Sequence, residues 1–232
     1  FRHAGRSQFL CRACMLGLPL CTTKGTDCQR GVSHDFVPWR SGRHEAVVAT
    51  SWESAEAAAV GLLGSAPVLG LDTEWNAARE VAVLQLAGSE RCLLCLLPEV
   101  DLQRCPSILA LLADAAIVKA GVGIARDAEL LRACAGVEVR GCCDLFLLAA
   151  REGRVPASNP CSLAHLVQLL LGFELPKDEG VRRSDWGRRP LSSVQLHYAA
   201  RDALAGRDCA AALASQRIAR GSQEQLGKEE EE

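Results

Sequence analysis

The order of strand-like and helix-like segments is the sequence feature that most restricts the fold. A fully apolar run at 68–71 predicts a buried strand, and two further strand patterns follow at 81–86 and 92–97, with a turn at 88–89 between them. Two strands joined by so short a turn are expected to pair as an antiparallel hairpin. From residue 107 onward, short apolar strands alternate with helical patterns. This order predicts an α/β domain with a mixed sheet flanked by helices.

The same pattern divides the chain into three parts. Residues 45–216 hold the predicted domain. Residues 1–44 show no sustained period and are expected to form a cysteine-containing, poorly ordered arm or linker, and residues 217–232 form an acidic tail. Helices are predicted at 52–63, 107–113, 125–134, 145–150, 163–171 and 192–213, and the later strands at 116–120 and 137–143.

Composition excludes several classes of protein. The chain has 232 residues, of which 49% are hydrophobic and 23% are charged, and these proportions are typical of a globular protein and not of a disordered or fibrous one. No apolar run approaches the roughly 20 residues that a membrane helix needs, so no membrane segment is predicted. The net charge of −2 gives no overall basic field that would indicate a nucleic-acid partner.

Cysteine usage favours a reducing, intracellular compartment. Eight of the 12 cysteines lie in apolar or helical patterns, where free thiols behave as small hydrophobes. Cys92 and Cys95 are three apart on one predicted strand and would point to opposite faces, so shared metal ligation there is not expected. The other four lie in the arm near His34 and are either a zinc site with loose spacing or incidental cysteines. These four are Cys11, Cys14, Cys21 and Cys28.

Carboxylates at the ends of predicted elements are the first sign of chemistry. Asp72 and Glu74 are two residues apart on the apolar strand, so they project from the same face, and burying them unpaired would be costly. Either a divalent cation compensates their charge, since hard cations take oxygen ligands, or both lie in a solvated loop. Asp202 shares a helix face with Tyr198, four residues earlier. Asp127 opens another helix, where an acidic residue is often only a favourable contact with the helix dipole.

These residues occur in motifs that resemble a known superfamily. Leu71-Asp72-Thr73-Glu74-Trp75, then residues 122–127, then Tyr198-Ala199-Ala200-Arg201-Asp202-Ala203 are similar to the three exonuclease motifs of the DEDD superfamily, which includes ribonuclease D and the Werner-type exonuclease domain. Ser184-Asp185-Trp186 and Pro190-Leu191-Ser192 favour the ribonuclease D branch. The resemblance covers about residues 46–215. Each motif alone is weak, but their order and separation together are specific.

The resemblance implies a ribonuclease H-like fold and a 3′–5′ exonuclease. Such an enzyme would hydrolyse phosphodiester bonds of single-stranded or 3′-ended DNA or RNA with two divalent metal ions, Mg²⁺ or Mn²⁺. It also implies Asp72 as the bridging metal ligand, Glu74 and Asp202 as further ligands of the first metal ion, and Asp127 as the ligand of the second. By the same resemblance, the expected compartment is the mitochondrion or the nucleus.

The superfamily divides into two subgroups by the residue that positions the attacking water. One subgroup has a tyrosine four residues before the last aspartate and the other a histidine five before it, and this chain has both Tyr198 and His197 before Asp202. At about 100° per residue, Tyr198 lies about 40° from Asp202 around a helix axis, whereas His197 lies about 140° away. An unbroken helix therefore places only Tyr198 with the metal ligands, and the tyrosine subgroup is predicted.

Contacts to nucleic acid are predicted in two places. Arg182, Arg183 and Lys177 precede Trp186 and could hold backbone phosphates, which adds affinity but little sequence information; the alternative is a solvated basic loop. Trp75 follows the second carboxylate directly and either stacks on the terminal base or belongs to the core.

The leading hypothesis is a metal-dependent 3′–5′ exonuclease, and two alternatives remain open. One is a catalytically weak module that binds nucleic acid without cutting it. The other is an interaction protein that acts through the cysteine-rich arm. Because the four carboxylates and Tyr198 are all present, a loss of activity would have to arise elsewhere in the chain.

Overall fold

The computed structural model describes residues 32–40, 42–60, 62, 67–89 and 91–229. Within these ranges the strands are β1 Val32–Trp39, β2 Gly42–Ala49, β3 Val68–Trp75, β4 Val81–Ala87, β5 Arg91–Leu96, β6 Val118–Gly121 and β7 Cys142–Asp144. The α-helices are α1 Trp52–Val60, α2 Pro106–Ala113, α3 Ile124–Ala135, α4 Leu145–Arg151, α5 Leu163–Leu171, α6 Glu179–Arg182 and α7 Ser193–Glu229. A short 3-10 helix, Leu102–Arg104, precedes α2.

The strands form one mixed sheet in the order β1-β2-β5-β4-β3-β6-β7. Antiparallel pairing joins β3 to β4 and β4 to β5, with Val83 opposite Leu96 in the second pair, which confirms the predicted hairpin. Parallel pairing joins β3 to β6 and β6 to β7. The β1–β2 hairpin extends the sheet beyond β5 through a parallel β2–β5 pair. The predicted α/β fold with a mixed sheet and flanking helices is confirmed.

A separate hydrophobic core packs against each face of the sheet. Cys92 lies in the core under α7, while Cys95, three residues later, lies in the core under α1 and α2, so the two thiols do point to opposite faces. The same alternation governs β3. Leu69 and Leu71 belong to the second core, whereas Gly70 faces α7.

Close packing of α7 against β3 depends on small residues. A Cβ atom at Gly70 would overlap the backbone carbonyl oxygen of Ala203, so only glycine allows the helix to lie this near the strand. Ala199 and Ala200 on the preceding turn are fully buried. The carboxylate of Asp202 is thereby brought beside the end of β3.

Several predicted boundaries differ from the structure. Residues 32–40 and 42–44, predicted as part of the arm, belong to the β1–β2 hairpin. The alternation of buried residues along β1 is short, with Val37 and Trp39 buried. In the turn, Arg40 adopts φ 52°, a conformation for which a glycine is the expected sequence signal. The strand predicted at 137–143 is reduced to β7, because the Val137 amide bonds back to Leu131 at the end of α3.

The C-terminal helix is longer than predicted. It continues to Glu229, so residues 217–229 of the predicted acidic tail prolong α7. The arm cysteines, Cys11 to Cys28, lie outside the described residues, and the zinc prediction therefore stays a prediction. The eight cysteines within the described ranges are free thiols. In the part of the chain that the structure covers, no helix has the length and apolar character that crossing a bilayer requires.

Candidate active site

Three carboxylates converge at the end of β3. Asp72 and Glu74 project from the face of the strand that packs on α7, and Asp202 comes from α7 itself. One oxygen from each of these side chains can be chosen so that all three lie within 4.8 Å of one another. The strand period and the small residues of the β3–α7 contact together create this cluster.

Burial and mutual repulsion act on these carboxyl groups together. Desolvation raises the pKa of Asp72 well above its ordinary value, and the charges of Asp202 and Asp127 raise it further. Desolvation, followed by the charge of Asp72, raises the pKa of Glu74 to about 9. Burial also raises the pKa of Asp202, although Lys177 opposes that shift. Without a cation, the protein therefore does not stabilise all three carboxyl groups in their charged form at neutral pH.

The donor set fits a divalent cation. The three side chains offer oxygen atoms only, which hard cations such as Mg²⁺ and Mn²⁺ prefer. A cation between them would offset the repulsion that raises the pKa values of Asp72 and Glu74. The solvated-loop alternative is not observed, because Asp72 and Glu74 are part of β3 and only partly exposed.

Asp127 approaches the cluster from the other side of the sheet. It lies in the first turn of α3, is only 6% exposed, and accepts a hydrogen bond of 2.5 Å at Oδ1 from the Thr73 hydroxyl. Burial raises the pKa of Asp127 to about 6, and the Thr73 hydrogen bond opposes that shift. Because Thr73 alternates with Asp72 and Glu74 along β3, it faces the core on the α3 side. Asp127 is therefore near the three-carboxylate cluster without being part of it.

The structure separates the two candidates for positioning water. Tyr198 is 7% exposed, packs on Trp186 with ring centroids 6.1 Å apart, and lies on the α7 face that carries Asp202. The His197 ring nitrogen Nε2 instead lies 3.2 Å from Asp35 Oδ2 on β1. The helix geometry predicted from the sequence is confirmed, because His197 faces the added hairpin and Tyr198 faces the carboxylates.

Lys177 lies beside the carboxylate cluster, in the loop before α6. Its Nζ donates to Asp202 Oδ2 at 2.6 Å and lies 3.5 Å from the Tyr198 hydroxyl oxygen, and its predicted contact with a backbone phosphate stays a prediction. It also lies 4.9 Å from the centroid of the Tyr198 ring. Lys177 therefore supplies the positive charge that stabilises the Asp202 carboxylate inside the cluster.

The basic stretch at 182–189 contains two kinds of arginine. Arg182 and Arg183 are exposed on and after α6, and both pair with Glu179. Arg189 is structural, since its guanidinium donates to the backbone carbonyls of Ala82 and Leu97 across the β4–β5 hairpin. Arg182 and Arg183 therefore remain exposed to solvent, whereas the hydrogen bonds of Arg189 stabilise the fold.

Trp75 is partly buried and anchored by its indole nitrogen. Its Nε1 donates to Thr73 Oγ1 at 2.7 Å, and its ring packs against the core on the α3 side. The Arg126 guanidinium lies 5.6 Å from the ring centroid. Sequence reasoning missed Thr73 altogether, although a hydroxyl among apolar strand residues was a usable signal.

A mixed sheet that gathers three carboxylates at the end of one strand can hold a divalent metal ion for hydrolysis, and comparison with known proteins gives the class, a 3′–5′ exonuclease domain. A family model described as 3′–5′ exonuclease matches residues 47–216, and the chain belongs to that family. The predicted resemblance to the DEDD exonucleases is thereby confirmed.

Individual relatives agree with this assignment. Exonuclease 3′-5′ domain-containing protein 2 from Mus musculus is 41% identical over 147 residues, which cover 59% of this chain and 22% of that protein. Residues 67–70 and 139–145 also resemble that protein. Its Homo sapiens counterpart is 38% identical over 162 residues, or 66% of this chain and 26% of that protein. The chain thus spans about a quarter of the length of these curated relatives.

A solved structure supports the fold. The crystal structure of Escherichia coli RNase D, described as an exoribonuclease involved in structured RNA processing, superposes with a TM-score of 0.64 at 25% sequence identity. The match covers 75% of this chain and 45% of that one. The ribonuclease H-like arrangement predicted from the sequence is therefore the fold of the protein.

Proposed function

We propose that this protein removes nucleotides from the 3′ end of DNA or RNA by hydrolysing phosphodiester bonds with two divalent metal ions, Mg²⁺ or Mn²⁺. The observation that carries the proposal is the convergence of Asp72, Glu74 and Asp202 within 4.8 Å, in a chain of the 3′–5′ exonuclease family. Each carboxyl group is held where its charge is costly without a cation, and such placement is typical of functional sites.

The four carboxylates would divide between the metal ions. Asp72 would bridge them, Glu74 and Asp202 would complete the ligands of the first, and Asp127, on the opposite side of β3, would hold the second. When bound, the metal ions supply a more acidic water and positive charge near the developing oxyanions. The protein supplies the fixed carboxylate positions, and its burial of those groups excludes competing solvent.

Tyr198 would orient the attacking water by a hydrogen bond from its hydroxyl group. Desolvation, together with the charges of Asp202 and Glu74, raises the pKa of Tyr198, so the phenol keeps its proton and acts as a donor and not as a base. Lys177, 2.6 Å from Asp202 Oδ2 and 3.5 Å from the Tyr198 oxygen, would help to hold both side chains in place and would reach an incoming phosphate from there.

The nucleic-acid strand would be bound by charged side chains and by stacking on an aromatic ring. Arg182 and Arg183 are exposed on and after α6 and would contact backbone phosphates, in exchange for part of their pairing with Glu179. The partly exposed ring of Trp75 would stack on the terminal base.

We take the catalytic unit to be residues 45–216, and the β1–β2 hairpin, which begins at Val32 in the same sheet, would be part of its fold. The free thiols in the described part of the chain suit a reducing compartment, and we place the protein inside the cell, in the mitochondrion or the nucleus.

The proposal is tested with Asp72→Asn, which removes one charge at nearly constant shape. Cleavage of a labelled single strand in Mg²⁺ or Mn²⁺ should be lost, while the melting temperature in EDTA should be unchanged or higher, because repulsion with Glu74 is relieved. Asp101→Asn, at an exposed carboxylate that caps the 3-10 helix, is the matched control and should cleave normally. Near-normal cleavage by a metal-saturated Asp72→Asn variant would remove Asp72 from the site.

A further inference from the structure

A two-step hydrogen-bond chain connects Trp75 to Asp127 through Thr73. Trp75 Nε1 lies 2.7 Å from Thr73 Oγ1, and Thr73 Oγ1 lies 2.5 Å from Asp127 Oδ1. An indole nitrogen can only donate, so the threonine oxygen must accept there. The single proton of the Thr73 hydroxyl is then left to donate to Asp127. The direction of both hydrogen bonds is therefore fixed by chemistry.

The position of Thr73 in β3 makes this hydroxyl unusual. The two preceding residues on the same face, Leu69 and Leu71, are apolar and fully buried, and Thr73 itself is only 6% exposed. A valine has nearly the same shape and would serve the core at this position without a polar group to satisfy. The hydroxyl must therefore be explained by its two partners and not by packing.

Asp127 needs such a partner more than the other carboxylates do. Asp72 and Glu74 are fixed by the sheet, and Asp202 is fixed by its 2.6 Å contact with Lys177. Asp127 reaches the site from a helix on the other side of the sheet, in the first turn after Gly123, which adopts a left-handed conformation. The Thr73 hydroxyl ties this helix end to the strand that carries the other ligands.

We propose that Thr73 is a positioning residue that holds the Asp127 carboxylate in the orientation required for the second metal ion, with Trp75 fixing the Thr73 hydroxyl in turn. The inference rests on the proposed function, since it assigns a role toward a metal ion. Groups that hydrogen-bond to metal ligands typically change metal affinity by about 10- to 100-fold when removed. Thr73 would therefore govern the affinity of one metal site without touching the metal.

The test is direct Mn²⁺ binding to the full chain, followed by the electron paramagnetic resonance signal of free Mn²⁺. The wild-type chain should bind two ions. Thr73→Val should keep the first and bind the second about 10- to 100-fold more weakly, and Thr73→Ser, which restores the hydroxyl, should return to near the wild-type value. Ser107→Ala is the matched control, because Ser107 Oγ makes an equally short 2.5 Å hydrogen bond to Glu56, between α2 and α1 and not to a proposed metal ligand.

The outcomes separate this inference from the function on which it rests. If the wild-type chain binds two Mn²⁺ ions and Thr73→Val binds both equally well, the positioning role is overturned and the proposed function stands. If the wild-type chain binds fewer than two Mn²⁺ ions, both the second metal site and the positioning role are overturned, and if it binds none, the proposed function falls with them. Should Thr73→Val fail to fold by circular dichroism, Trp75→Phe removes only the indole donor, and its second Mn²⁺ site should be weakened by a smaller factor; an unchanged second site in that variant would also overturn the inference.

Discussion

Removing divalent metal should make the stability of this protein fall as pH rises above neutrality. The pKa of Glu74 is raised to about 9, whereas an unfolded chain has a glutamate near 4.5. Between these values the folded state holds a proton that the unfolded state has released, so stability decreases with increasing pH. One such proton corresponds to about 1.4 kcal/mol per pH unit, or about 2 kcal/mol from about pH 7 to about pH 8.5.

Urea unfolding in EDTA across this range, followed by far-ultraviolet circular dichroism, measures the effect. Glu74→Gln should flatten the decline, because the amide carries no proton to lose. Glu53→Gln, at an exposed position in the first turn of α1, should leave it unchanged. Saturating Mg²⁺ or Mn²⁺ should reverse the trend, since the ions stabilise the charged carboxylates. If the stability of the wild-type protein in EDTA stays constant or rises over this pH range, burial and repulsion do not raise the pKa of Glu74 in the folded state.

The site and the β3–α7 contact also predict the effects of substitutions at Tyr198, at Arg182 with Arg183, and at Gly70. Tyr198→Phe should reduce turnover by roughly ten- to a thousandfold and His197→Ala should change it little, as single-turnover assays would show; the opposite result would place the protein in the histidine subgroup. Replacing Arg182 and Arg183 by alanine should make single-strand binding less dependent on salt. The slope of the logarithm of the binding constant against the logarithm of the salt concentration should fall by about 0.7 for each phosphate that is no longer neutralised. An unchanged slope would mean that both arginines are only solvated residues. Gly70→Ala should lower the melting temperature and the activity together, because α7 must move away from β3; full activity with an unchanged melting temperature would contradict the close packing of these two elements.

The sequence predicted those features that depend on local periodicity. The apolar strand with Asp72 and Glu74 at its end, the antiparallel hairpin after it, and the helix face shared by Tyr198 and Asp202 all follow from the period of a strand or helix. The confirmed separation of Cys92 and Cys95 between two cores has the same origin.

Features that depend on contacts between distant segments could not be predicted in this way. The contact of Lys177 with Asp202 was not predicted, because the two residues are 25 apart and no spacing rule connects them. The β1–β2 hairpin was missed because Arg40, and not a glycine, occupies the positive-φ position of its turn. The Thr73 contact with Asp127 joins residues 54 apart, so a hydroxyl that looks incidental in the sequence acquires its partner only in the fold.

The polarity and the metal dependence of cleavage decide whether the protein is a metal-dependent 3′–5′ exonuclease. A single strand carrying a label at its 5′ end should be shortened one nucleotide at a time by the wild-type chain, and the same strand labelled at its 3′ end should release the label as a mononucleotide at once. Both reactions should require Mg²⁺ or Mn²⁺ and stop in EDTA, as expected for a site built on Asp72, Glu74 and Asp202. Release of mononucleotide from the 5′ label before shortening, internal fragments, or cleavage that persists in EDTA would contradict a metal-dependent 3′–5′ exonuclease.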